Sequence, residues 1–138
     1  MWHTKQLILH GSIVLLVGFL SGAGLGSAVV KGKSEATMRA WRVAHSGIVM
    51  GGVLLLALGP VVPHLRIGAS ALALLVWSFV ASAYAFAVVL PVGAHYGYRG
   101  LSPAPPFLNR VVYAGNMIGA AGSLVGALLL VWGASAAL

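Results

Sequence analysis

Long apolar runs, broken by short clusters of polar and basic residues, make up most of this chain. The runs are continuously apolar and do not alternate, which disfavours strands. Their lengths suit helices buried in hydrocarbon, where about 20 residues cross about 30 Å. Four spans are predicted: residues 6–30, between Lys5 and Lys31; residues 43–62, closed by Pro60 and Pro63; residues 67–92, closed by Pro91 and Gly93; and residues 111–135. The first could be read as a signal peptide, given its early lysine and the small residues Gly26, Ser27 and Ala28. Its apolar stretch is longer than the roughly 7–15 residues of a signal core, so it is expected to be a retained helix. The pattern predicts an all-α, integral membrane four-helix bundle, one domain over residues 1–138, without an internal repeat.

Composition narrows the chemistry. The chain is 60% hydrophobic and 7% charged, against about 25% charged in a soluble domain. Its formal charge of +7 comes from basic residues near the ends of the runs. Such charge reads as headgroup contact and topology signal, not as a nucleic-acid surface. Segment 31–42 carries Lys31, Lys33, Arg39 and Arg42, and segment 93–110 carries Arg99 and Arg110; the opposite side has Lys5 and Arg66. This bias predicts that both segments are cytoplasmic and both termini lie outside, in a bacterial inner membrane. There is no cysteine, which removes thiolate sites and disulfides. Glu35 is the single acidic residue, so no carboxylate pair can form within one protomer. Chemistry is left to His, Tyr, Asn, Ser, the backbone or a bound cofactor.

The polar residues inside the spans are therefore few and informative. His45 stands near the start of the second run, and an ionisable group there needs a partner, a proton, a metal or a substrate. Ser78 and Ser82 share a face of the third span, as do Trp77 and Tyr84, while Tyr113 and Asn116 share a face of the fourth. The serines are expected to bond back along their helices or across to a neighbour; Asn116, a buried amide, needs partners and could touch a ligand. His10 and His45 enter from opposite membrane faces, about 15–20 Å apart in depth, too far to ligate one haem iron from both sides within a protomer. His64 and His95 are expected in loops. Glycines spaced by four (Gly18, Gly22, Gly26; Gly47, Gly51; Gly115, Gly119; Gly122, Gly126) allow close helix approach. A chain this small suits an oligomer with sites between subunits.

Trp41-Arg42-Val43-Ala44-His45-Ser46-Gly47, followed by an apolar helix reaching Pro60, resembles the second-helix motif of styrene oxide isomerases. His10-Gly11, Trp77-Ser78 and Arg99-Gly100-Leu101 are similar to further pieces of those proteins, and the spacing of His45, Gly47 and Gly51 also resembles hydroxylaminobenzene mutases. The resemblance implies four membrane helices, a homo-oligomer (a trimer in the isomerases), and haem b between neighbouring subunits. It implies that His45 holds the iron, with Trp41 and Ser46 beside the cofactor. Ferric haem would then polarise an epoxide oxygen, the ring would open to a cation, and a hydride shift would give an aldehyde without net redox. It points to Trp77, Ser78, Phe79 and Tyr113 as substrate contacts.

The chain also departs from that pattern. Phe79 stands where the isomerases carry an Asn, Ala83 where they carry a Tyr (with Tyr84 one residue beyond), and Gly51 where they carry a second Asn; their third-helix Asp is absent. Tyr84 and Asn116 are the candidates to replace the lost catalytic hydrogen bonds. The expected activity is rearrangement of a small hydrophobic, aromatic substrate such as an aryl epoxide. The alternatives are an arylhydroxylamine mutase, a haem protein for electron transfer or sensing, and a small membrane assembly or transport subunit.

Overall fold

A computed structural model describes residues 1–137. Four helices, α1 (Trp2–Val30), α2 (Glu35–Val61), α3 (Ala69–Tyr96) and α4 (Phe107–Ser135), are each long and apolar enough to cross a membrane. A short 3₁₀ turn, Val62–His64, follows α2, and no strand occurs among the described residues.

The helices outrun the apolar stretches, for local reasons. α2 starts at Glu35, because the Ser34 hydroxyl accepts a hydrogen bond from the Thr37 amide at 3.3 Å and Glu35 places negative charge in the first turn. Most of segment 31–42 is thus helix, not loop. His45 lies well inside α2, ten residues beyond Glu35. Pro60 falls within the last turn of α2, and Pro91 sits inside α3 without ending it. α3 runs on to Tyr96 and closes at Gly97, whose φ of +77° is the left-handed cap that glycine adopts at least cost. His95 is therefore in the last turn of α3 and His64 in the 3₁₀ turn, not in loops.

α1 packs chiefly on α2, and α3 on α4, with α2 against α3 joining the two hairpins. Glycine makes both contacts close. A Cβ added at Gly52 would lie 2.7 Å from the Leu15 amide nitrogen, and one at Gly18 would lie 2.8 Å from that of Val49. Backbone meets backbone there, so dispersion and shape replace the hydrophobic drive that lipid removes. In the second hairpin, Gly119 and Gly126 lie beneath the rings of Phe86 and Phe79. Gly26, the third member of the α1 repeat, faces nothing within 4 Å. Leu7, Val14, Ile48, Leu55, Leu75 and Val76 fill the centre.

Because the neighbour at Gly52 is main chain, it cannot rotate aside. Gly52→Val should force α1 and α2 apart and destabilise the protein by about 1–3 kcal/mol, the usual cost of overpacking. Thermal unfolding in detergent measures this; Gly26→Val, with open space around it, should leave the midpoint unchanged.

Candidate functional site

His45 is built into the α1–α2 contact. Its Nδ1 lies 2.8 Å from the Gly18 carbonyl oxygen of α1. A carbonyl only accepts, so Nδ1 carries the proton and the ring is fixed in the tautomer that leaves the Nε2 lone pair free. Nε2 has no protein partner and is not buried, since His3 Nδ1 is the only buried, unpartnered side-chain nitrogen or oxygen among the described residues. Gly22 makes room for the imidazole: a Cβ there would stand 3.2 Å from ring atoms Cε1 and Nδ1. One turn earlier the Trp41 ring lies directly on Gly24. Trp41 and His45, one turn apart, thus share the face of α2 that leans on α1. Ser46 turns outward, and its hydroxyl bonds back to the Arg42 carbonyl at 2.8 Å. The sequence showed Gly18 and Gly22 only as a packing repeat. The carbonyl that orients His45 leaves no trace in residue identity.

A cavity of about 170 Å³ lies between α2, α3 and α4. Gly47 and Gly51 of α2, Phe79, Ser82, Ala83 and Phe86 of α3, and Ser123 of α4 are among its walls. Gly51, Phe79 and Ala83, three of the positions at which the sequence departs from the isomerase pattern, meet here. The cavity's only polar side chains are the two serines. Ser82 Oγ lies 2.6 Å from both the Gly119 carbonyl and Ser123 Oγ, and Ser123 Oγ donates to the same carbonyl at 2.8 Å. Two hydroxyl protons serve three such contacts, so neither is free to donate into the cavity.

The family model for styrene oxide isomerase matches residues 3–135, nearly the whole chain. The chain belongs to the styrene oxide isomerase family. No curated protein and no solved structure matches it.

In this styrene oxide isomerase-family chain the remaining predicted site residues do not gather at one place. Tyr84 turns toward α1, where its hydroxyl pairs with His10 Nδ1 at 3.0 Å. Trp77 packs edge-on against the same imidazole at 5.6 Å between centroids, and is 41% exposed. This His10–Trp77–Tyr84 group ties α1 to α3. The shared face of Trp77 and Tyr84 was legible in the sequence, but their partner His10 was not. Ser78 serves the α3–α4 contact through its backbone, its carbonyl oxygen lying 2.8 Å from where a Gly122 Cβ would be. Tyr113 is half-buried and lines neither cavity. Asn116 Nδ2 donates to the Arg99 and Gly100 carbonyls at 3.2 and 3.3 Å, holding the α3–α4 loop.

With its hydroxyl engaged by His10, and outside the residues lining the small cavity, Tyr84 is placed to join helices. Tyr84→Phe should cost about 0.5–1 kcal/mol, typical of one interhelical hydrogen bond in a membrane, with little change in turnover. A stability measurement paired with an activity assay separates this from a catalytic role, which would cut turnover at constant stability.

Proposed function

We propose that this protein is a haem b-dependent membrane isomerase that rearranges a small aromatic epoxide to an aldehyde. The observation that carries the reading is the His45–Gly18 hydrogen bond. A carbonyl on Nδ1 with Nε2 left open is the arrangement that metal-ligating histidines adopt, because it sets both tautomer and ring direction. Among the described residues no group of three His, Cys, Asp or Glu side chains could hold a bare ion. A group held through His45 alone therefore suits a metal that brings its other ligands with it, as in a porphyrin. Trp41, on the same face, would flank that group, with Ser46 beside it. When bound, ferric haem would supply a Lewis acid for the epoxide oxygen without net electron transfer.

The chain's own residues would do the rest. The small cavity is close in size to the apolar cavities, on the order of 150 Å³, that accept a benzene ring. Its walls offer no proton to the substrate oxygen, so activation there rests on the cofactor and not on a side-chain acid. Their apolarity would keep water from trapping a cation, and the Phe79 and Phe86 rings would favour positive charge near their faces. Phe79, as a wall of this cavity, would contact the substrate.

His45 and the cavity lie on different sides of α2. Six residues separate His45 from Gly51, a rotation of about 600°, which leaves them about 120° apart around the helix. His45 faces α1, and no α1 residue lines the cavity. This division favours a cofactor shared between copies in a homo-oligomer, a trimer by family likeness, with His45 of one copy serving the cavity of the next. The six-to-two excess of basic residues would place segments 31–42 and 93–110 on the cytoplasmic side of a bacterial inner membrane, with both termini outside. The direct test is the absorption spectrum of the purified protein, followed by incubation with styrene oxide. A Soret band and phenylacetaldehyde are expected; protein without bound iron, or an unchanged epoxide, sinks the reading.

A further inference from the structure

A second cavity, of about 510 Å³, opens at the end of the bundle where α2 begins, α3 ends and α4 begins. Its interior is aliphatic, with Val43, Leu90 and Val112 among its walls, yet Arg39 and Arg99 also line it. Of the eight Lys and Arg residues in the chain, these are the two that reach it. Glu35, the chain's single acid, does not line it, so no carboxylate in the wall balances the two guanidinium groups.

Arg99 hangs from a fixed backbone. Asn116 Nδ2 holds the Arg99 and Gly100 carbonyls, and Asn109 Oδ1 accepts from the Gly100 amide at 3.3 Å. Gly100, at φ +57°, is pressed so closely on α4 that a Cβ would lie 2.7 Å from the Tyr113 amide nitrogen. Asn116 also lines the cavity, where its Oδ1 has no partner and is not buried. The first turn of α2, at Ala36 and Thr37, forms part of the wall.

We propose that this cavity binds an amphipathic anion, its carboxylate or phosphate head between Arg39 and Arg99 and its apolar tail along Val43, Leu90 and Val112. Paired guanidinium groups are suited to oxyanions, and an aliphatic chamber behind them excludes a fully hydrated one. The ligand's head could belong to a free fatty acid or to an anionic phospholipid; the recognising chemistry is the same. No residue lines both cavities, and His45 lines neither.

The test uses tritiated oleate and immobilised whole protein in neutral detergent, read by scintillation proximity, with methyl oleate as the uncharged control. Oleate should bind saturably, and roughly tenfold or more tighter than its ester, as expected for a charge-assisted contact. The Arg39→Gln/Arg99→Gln protein should bind acid and ester alike. Arg39→Lys/Arg99→Lys should keep the preference in reduced form, which shows that charge and not folding is being read. Displacement by phosphatidylglycerol but not phosphatidylcholine identifies a lipid headgroup as the occupant; resistance to both, with displacement by unlabelled oleate, identifies the free acid. Equal binding of oleate and methyl oleate by the native protein, or an undiminished preference in the glutamine variant, overturns the proposal.

Discussion

His45→Ala protein should purify without a Soret band and convert epoxide no faster than buffer, while keeping its helical content and elution volume in detergent. The loss should be near complete because a single nitrogen is assigned to the iron, and His10, the other histidine well inside a span, is engaged with Tyr84 across α1 and α3. Folding should survive. The Gly18 carbonyl that loses its side-chain partner still lies within a continuous helix, where it can accept a backbone hydrogen bond. Added imidazole can occupy the space left over Gly22, so partial recovery of the Soret band with imidazole is expected and would show that the missing ring is the cause. A graded companion is Gly22→Ala. Its new methyl group would stand 3.2 Å from the ring atoms Cε1 and Nδ1, forcing a shift of a few tenths of an ångström. Haem affinity should fall by about tenfold, the scale on which supporting contacts tune a metal ligand. Full haem occupancy in His45→Ala protein would mean that another residue holds the iron.

Much of the architecture was legible because lipid imposes simple rules. A spanning segment must be apolar for about 20 residues, so four runs predicted four helices. What hydropathy could not show was where each helix ends. Glu35, Arg39 and Arg42 are polar, but the Ser34 cap makes their segment helical, and that moves His45 from the mouth of α2 into its interior. Pro91 looked like a terminator because proline removes a donor, yet α3 runs on past it to Tyr96. At the site, the motif around His45 was readable as residue types at fixed spacing. Its orienting partner was not, because any residue at position 18 presents a carbonyl; only the need for a small side chain beneath Val49 points to glycine there. Tyr84 and Asn116 were marked for their polarity alone. The fold gives Tyr84 to His10 and Asn116 to the Arg99 loop, assignments that depend on helix rotation, which low amphipathicity leaves unmarked.

Gly51→Leu should abolish turnover of a one-ring epoxide while leaving cofactor content intact. A Cβ at Gly51 has room, since its nearest neighbours, Ala83 Cβ and Val14 Cγ1, stand 4.0 Å away. The added isobutyl group is expected to extend into the 170 Å³ cavity that Gly51 lines and to fill a large share of it. A substrate held even an ångström from its productive position loses about 100-fold in rate, so exclusion should cost at least that much. Ethylene-sized aliphatic epoxides should lose less, because they need less of the chamber. Gly51→Asn makes the opposite change, adding a hydrogen-bond donor to a cavity whose serine protons are already committed to Gly119 and to each other. If the cavity holds the substrate, that amide should shift preference toward epoxides bearing a polar ring substituent, seen as a change in the ratio of kcat/KM values between paired substrates. Equal kcat/KM for styrene oxide in Gly51→Leu and native protein, at equal haem content, would place the reaction outside this cavity. The three apolar departures at Gly51, Phe79 and Ala83 would then be matters of packing alone.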